Sequence, residues 1–403
     1  MNLTLILSWR DKIVIGRLFC PLFGSMASQK LTSFLLDHFP MLPLELFRPI
    51  IEEVDDSNTI CSLILTCKAF QHDAEQRLYH TPNPAHPKVL RLDYTHVAFL
   101  STMTTNPRLA SLVHTYYLID VVSRGNPLWD LAKLGFRAMV NLKVLHFRAF
   151  SRQPAAVLLK DCPFQLEHLH WESHFDEVGM ACTILPQQPK LRHLYLECDP
   201  HTIERHLREL NMFHHASPPA NHLFADDCCP NLHSLGGNRV TIELLLPGRN
   251  IRKLSWNPTN DKYGRVSESV AQGLSRLETI SLPGYLIRCS PDTLIHLREL
   301  RVLEIVNSGS GERHEQEVGI IKRLPNLREL VISIESRRTN IPFPDIVERH
   351  QCIQQYFAEC PHLHLVDFFS SWSVTNEIWY QRWTRGDARP TLVSYADVRE
   401  GRF

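Results

Sequence analysis

The stretch NLKVLHFRAFSRQPAAVLLKDCPFQLEHLHWESHFDEVGMACTILPQQPKLRHLYLEC, residues 141–198, states one short phrase three times. NLKVLHF (Asn141 to Phe147), QLEHLHW (Gln165 to Trp171) and KLRHLYL (Lys190 to Leu196) share the form L-x-x-L-x-apolar, the alternation of a strand with one buried face. Working outward, the phrase returns as NLHSLGG (231–237), NIRKLSW (250–256), RLETISL (276–282), ELRVLEI (299–305), NLRELVI (326–332) and HLHLVDF (362–368), with RLASLVH (108–114) read as a degraded earlier copy.

The first apolar residues recur after 24 residues (Leu142 to Leu166), 25 (Leu166 to Leu191), 26 (Ile251 to Leu277), 23 (Leu277 to Leu300) and 27 (Leu300 to Leu327). Two gaps are longer, 41 (Leu191 to Leu232) and 36 (Leu327 to Leu363), and each is expected to hold an insertion or an unrecognised repeat. Prolines precede several phrases, as in CPFQLEHL, QQPKLRHL, CCPNLHSL, LPNLREL and ECPHLHLV, and mark where a return helix stops. One strand-helix unit cannot bury its apolar face alone, so units of this length stack into a solenoid with a continuous core and a parallel sheet. The spacing and the phrase resemble leucine-rich repeats.

Alternation along each strand decides which side chains leave the core. The second and third apolar residues point inward. The residues flanking them form columns on the other face: Val144, His168, His193, Ser234, Lys253, Thr279, Val302, Glu329, Leu365, then His146, His170, Tyr195, Gly236, Ser255, Ser281, Glu304, Val331, Asp367. Arg148, Glu172 and Glu197 begin a third. The first three repeats thereby gather His146, Arg148, His168, His170, Glu172, His193, Tyr195 and Glu197 as candidate substrate-binding residues, since such side chains supply hydrogen bonds and pH-tunable contacts. A solvated sheet surface with no specific ligand is the alternative.

The front of the chain follows other rules. In FPMLPLELFRPIIEEVDDSNTICSLILTCKAFQHDAEQRLYH, residues 39–80, three short apolar runs have helical spacing. Leu46, Ile50 and Val54 form one stripe, Ile60, Leu63, Ile64 and Cys67 a second, and Phe70, Ala74 and Leu78 a third; Asp55 to Asn58 offer N-caps. Pro49 falls inside the first helix, where a kink costing about 3 kcal/mol is expected. Helices this short bury too little surface to be stable alone, so some apolar face is left for a partner or for the rest of the chain.

The frame Leu42, Pro43, Glu45, Leu46, Ile50, Val54, followed by Leu63, Thr66, Cys67, Lys68 and Phe70 and then by Arg77-Leu78-Tyr79, resembles an F-box. Phe70 stands where the family usually carries tryptophan. The resemblance implies that Leu42, Pro43, Leu46, Ile50, Val54, Leu63, Cys67 and Phe70 bind a Skp-type adaptor, and through it a cullin ubiquitin ligase. An F-box followed by irregular leucine-rich repeats is similar to a fungal F-box/leucine-rich-repeat protein. The alternative is a free-standing leucine-rich-repeat interaction scaffold whose front helices only cap the first repeat.

Composition agrees with an interaction protein. Lys plus Arg (43) balance Asp plus Glu (43), so no global field favours nucleic acid or an acidic membrane. The 11 cysteines include no C-x-x-C pair and read as small apolar filler in a reducing compartment, cytosol or nucleus. No zinc spacing is present among the 22 histidines, so no metal and no cofactor is expected. Neither a nucleophile elbow, a phosphate loop nor a dinucleotide fingerprint occurs, so the chain is read as no enzyme.

The expected organisation is α/β: a leader without regular structure (1–38), a three-helix F-box-like module (39–80), a connection (81–107), a leucine-rich-repeat solenoid with its parallel sheet on the concave side (108–370), and an aromatic-rich C-terminal cap (371–403). Arg10, Asp11 and Lys12 interrupt the apolar start before it could act as a signal or a span, and Met26 is a plausible alternative start.

Overall fold

The computed structural model describes residues 47–54, 56–66, 68–82, 92–121, 127–149, 155–173, 176, 179–197, 228–257, 266–283, 291–307, 314–334, 346–372, 378–399 and 402. The expected leader at 1–38 lies outside the described residues. The chain divides into two compact units, Met1–Tyr117 with Ala138–Leu142, and Leu118–Arg137 with Lys143–Phe403.

In the first unit α1 (Phe47–Glu52), α2 (Ser57–Thr66) and α3 (Lys68–His80) are followed by α4 (Leu92–Thr105) and α5 (Pro107–Ala110). The stretch read as a connection, 81–107, therefore carries a helix. His96, Leu100 and Met103 of α4 are buried, and His96 Nδ1 lies 2.9 Å from the Tyr116 hydroxyl. Asn106 caps α5, accepting from Leu109 N at 3.2 Å, with Pro107 where the missing N–H costs nothing. This corrects the reading of RLASLVH as a repeat phrase. Its Leu109 and Ala110 belong to α5, and strand β1 (Thr115–Val121) begins after it, with Tyr116 and Leu118 as its buried pair.

The second unit is a repeat solenoid of mixed α/β structure. Its sheet has 12 strands in sequence order: after β1 come β2 (Val144–Ala149), β3 (His168–Ser173), β4 (His193–Leu196), β5 (Ser234–Gly237), β6 (Lys253–Trp256), β7 (Thr279–Pro283), β8 (Val302–Asn307), β9 (Glu329–Ile334) and β10 (Leu365–Trp372). Strands β2 to β10 pair in parallel. The strands β11 (Ile378–Thr384) and β12 (Thr391–Ser394) add antiparallel pairs beyond β10, and α12 (Tyr395–Arg399) follows. The returns are α6 (Pro127–Ala138), α7 (Arg239–Leu245), α8 (Glu268–Leu274), α9 (Pro291–Leu294), α10 (His314–Ile321) and α11 (Ile346–Glu359); between β2 and β4 they shrink to 3-10 and π turns at Ala156–Leu158, Met180–Ile184 and Leu185–Gln187.

Direct pairing of β4 with β5 (His193↔Ser234) and of β9 with β10 (Leu365↔Glu329) leaves no strand between them. Neither long gap therefore adds a strand to the sheet between these pairs, and residues 198–227 and 335–345 lie outside the described residues.

The second apolar residue of each phrase stacks in register: Leu145, Leu169, Leu194, Leu235, Leu254, Ile280, Leu303, Leu330 and Val366, all buried. Full burial of each such side chain stabilises by roughly 1.5–3 kcal/mol. Beside this column Phe147 stacks on Trp171 at 4.1 Å between ring centres. The asparagine that opens several phrases joins repeats: Asn141 donates to Ser111 O at 2.8 Å, Asn231 to Pro189 O at 2.9 Å and Asn326 to Arg298 O at 2.8 Å. Cys229 and Cys360 also face preceding repeats, their thiols 3.5 Å from Leu185 O and 3.6 Å from Leu327 O.

Candidate functional site

The front helices come first in the chain. Asp56 starts α2 by accepting from Thr59 N at 2.8 Å and from its hydroxyl at 2.7 Å, which satisfies a donor the helix leaves over. Ile51, Ile60 and Ala74 are buried together, and Val54, Leu63, Ile64, Phe70 and Leu78 are half-buried against them. Leu42, Pro43, Leu46 and Cys67 lie outside the described residues.

Within α1 Ile51 is buried, while Ile50, one of the residues expected to bind an adaptor, is 39% exposed; Leu65 of α2, absent from the sequence-derived candidates, is 66% exposed. Pro49 lies within α1, and residues 41–46 before it lie outside the described residues.

Farther along, α3 is tied within the same unit. Arg108 pairs with Glu75 at 2.7 Å, Tyr79 stacks with Phe99 at 6.3 Å and His80 with His114 at 4.4 Å. Burial alone would raise the Glu75 carboxyl, but hydrogen bonds from Arg108 and Gln71 outweigh it and hold it below its ordinary value.

On the sheet, the candidate residues of the first repeats stand in the expected rows. Val144 faces His168 and then His193; His146 faces His170 and then Tyr195; Arg148 faces Glu172. The rings stack along these rows: His168 on His193 at 4.0 Å, His146 on His170 at 5.3 Å and His170 on Tyr195 at 4.2 Å. A comb of ring edges results, because strand spacing of about 4.8 Å brings successive rings face to face. His170 Nε2 lies 2.5 Å from Glu172, with Arg148 at 4.0 Å from the same carboxylate, and Tyr195 donates to Glu197 at 2.8 Å.

Gly236 ends the row. A Cβ there would collide with the Tyr195 ring, and Gly237, at φ +147°, has no room for one beside Leu196 O. With no side chains on β5 in the way, Asn257, just after β6, reaches across to donate to Glu197 at 2.7 Å and to Tyr195 Oη at 3.2 Å. Asn257 is absent from the sequence-derived candidates; the doubled glycine of NLHSLGG is the signal that marks it.

Burial, reinforced by neighbouring His170 and His168, drives His146 down to about 4, and burial with His168 beside it does the same for His193. His168 is lowered by burial too. The hydrogen bond from His170 holds the Glu172 carboxyl below its ordinary value, and burial raises Tyr195 above its own. At neutral pH His146 and His193 are thus uncharged beside an ionised Glu172.

The far half of the same rows is not open as expected. Thr279, Ser281, Glu304, Val331 and Asp367 are all buried. Over Glu304, Val331 and Asp367 the C-terminal segment contributes to this. Val398 joins Val331, Phe369 and Tyr380 in one apolar cluster, and Arg399 and Arg402 reach Glu304 and Asp367.

Among the described residues no helix is long and apolar enough to cross a membrane, and no three His, Cys, Asp or Glu side chains converge as a metal site would require. No protein-family model matches the chain, and no curated protein matches it. Among solved structures it is similar to the complex of Rad7 and Elc1 from yeast, at TM-score 0.30 and 11% identity over 85% of this chain and 98% of that one. It is also similar to an internalin (inlF) of Listeria monocytogenes, at TM-score 0.20 and 12% identity over 60% of this chain and 91% of that one.

Proposed function

We propose that the chain is a non-enzymatic, substrate-recruiting F-box subunit of a cullin-type (SCF) ubiquitin ligase in the cytoplasm or nucleus. The front helices, with Ile50, Val54, Leu63 and Phe70 among the described residues and Leu42, Pro43, Leu46 and Cys67 from the motif, bind a Skp-type adaptor. The repeats bind a protein target, and the ring comb of β2–β4 with Glu172 and Glu197 takes part in holding it. One observation carries the adaptor reading: three helices bury only a small core around Ile51, Ile60 and Ala74 and turn Ile50 and Leu65 outward. Exposed aliphatic side chains beside a small core are what a partner helix needs to complete the packing.

The test is capture of purified Skp-type adaptor by the full chain and by its Ile50→Asp and Leu65→Asp variants. Retention by the parent chain and at least tenfold loss in both variants is the expected result. No retention, or retention untouched by either change, refutes the adaptor reading.

A second reading, a free-standing repeat scaffold with a helical cap, is favoured by the ties of α3 to the following helices through Glu75–Arg108, Tyr79–Phe99 and His80–His114. It expects no adaptor capture at all.

A further inference from the structure

The C-terminal segment meets the sheet face in a distinctive way. Arg399 Nη2 lies 3.0 Å from Glu304 Oε2 on β8. Arg402 Nη1 lies 2.6 Å from Asp367 Oδ2 on β10, and its Nε is 2.7 Å from Glu329 Oε2 on β9, an ion pair not aligned as a hydrogen bond. Val398 plugs the apolar gap between Val331, Phe369 and Tyr380. α12 is five residues long and meets β8–β10 through these side chains, while Ser394 and Asp397 hold its start to β12 locally, Ser394 N donating to Asp397 at 3.0 Å.

The acids on the face do not depend on those arginines alone. Glu304 also accepts from Ser281 at 2.5 Å and from Ser333 at 2.6 Å. Asp367 also accepts from Arg382 at 2.8 and 2.9 Å. Removing α12 would therefore leave neither carboxylate without a donor, Asp367 keeping the Arg382 guanidinium and Glu304 two serine hydroxyls. An element held by few side chains belongs to the least stable part of a fold. What would remain is a preformed acidic row with an apolar notch, already seen holding two arginines three residues apart.

We propose that the sheet face over β8–β10 is a docking surface for an arginine-bearing segment of a target protein, and that the segment bearing Val398, Arg399 and Arg402 covers it in cis as a displaceable strap. This rests on the reading of the repeats as target-binding, and it names the class of target: a segment carrying two arginines at the spacing of Arg399 and Arg402 with a small aliphatic residue beside the first. Guanidinium pairs with carboxylates in a directional way that lysine does not match.

The probe is a fluorescent peptide of residues 391–403, TLVSYADVREGRF, titrated into the full chain and into its Arg399→Ala/Arg402→Ala variant. The variant should bind it at least tenfold more tightly than the parent chain, and a peptide with both arginines changed to alanine should not bind. Hydrogen exchange of the parent chain should show residues 395–402 exchanging faster than β10. Failure of the peptide to bind the variant, equal binding of the arginine-free peptide, or exchange of 395–402 only together with β10 overturns the proposal. A concentration-dependent dimer of the parent chain with no peptide binding assigns the surface to a second copy and overturns it as well. Adaptor capture is read in the same preparations, so loss of the ligase reading and loss of this one appear as different results.

Discussion

Glycine and histidine carry the local argument. Gly236 is small because Tyr195 lies where its side chain would be, so Gly236→Ala should tilt the tyrosine, break the Asn257 bonds and cost about 1–3 kcal/mol in a denaturant titration. Truncating Asn257 to alanine in the same background should then cost almost nothing further, since its partners are already displaced. The histidines make a pH prediction. Both His146 and His193 titrate near 4 in the folded chain against an ordinary value of 6.5, so the unfolded chain binds more protons between these values. Stability therefore rises with pH through that window and is level above it. The urea midpoint should fall between pH 6.5 and pH 4.5, and a His146→Asn/His193→Asn variant should show a shallower fall; an unchanged slope would mean these imidazoles stay solvated. The alternating phrases already placed these residues on one face. Their depressed titration was not legible, because it depends on how deeply neighbouring strands bury them.

At the scale of elements, the bonds between repeats are what thermal unfolding of the full chain can weigh. Asn326→Ala should lower stability by about 1 kcal/mol, the net worth of one hydrogen bond between repeats, since its amide holds Arg298 O. The strands were readable because a period of two repeated at near-constant spacing is hard to imitate. α4 was not, because LDYTHVAFLSTMTT mixes polar and apolar residues without a stripe; its buried side are His96, Leu100 and Met103, and a buried histidine is tolerated only with a partner such as Tyr116.

At the scale of the whole chain, the two units have separate tasks in the proposed function. Changes at Ile50 and Leu65 should abolish adaptor capture and leave target binding alone, and His170→Ala with Tyr195→Ala should do the reverse. Effects on one binding event from both sets would show that the units do not act independently. The open face is also divided. Over β2–β4 and β6 the row side chains are half-buried or exposed, whereas over β7–β10 Thr279, Ser281, Val302, Glu304, Val331 and Asp367 are buried.

What the order of amino acids determined alone was everything periodic: the register of the leucine column and the rows of flanking side chains. Each follows from neighbours along the chain and from the need of every repeat to bury the same face. Tertiary structure decided which of those rows stays open. The pairing of Arg399 with Glu304 joins residues far apart in sequence, and no local period announces a segment that returns across a sheet it helped to end. Burial of Ile51 was decided in the same way, by which side of α1 meets α2 and α3.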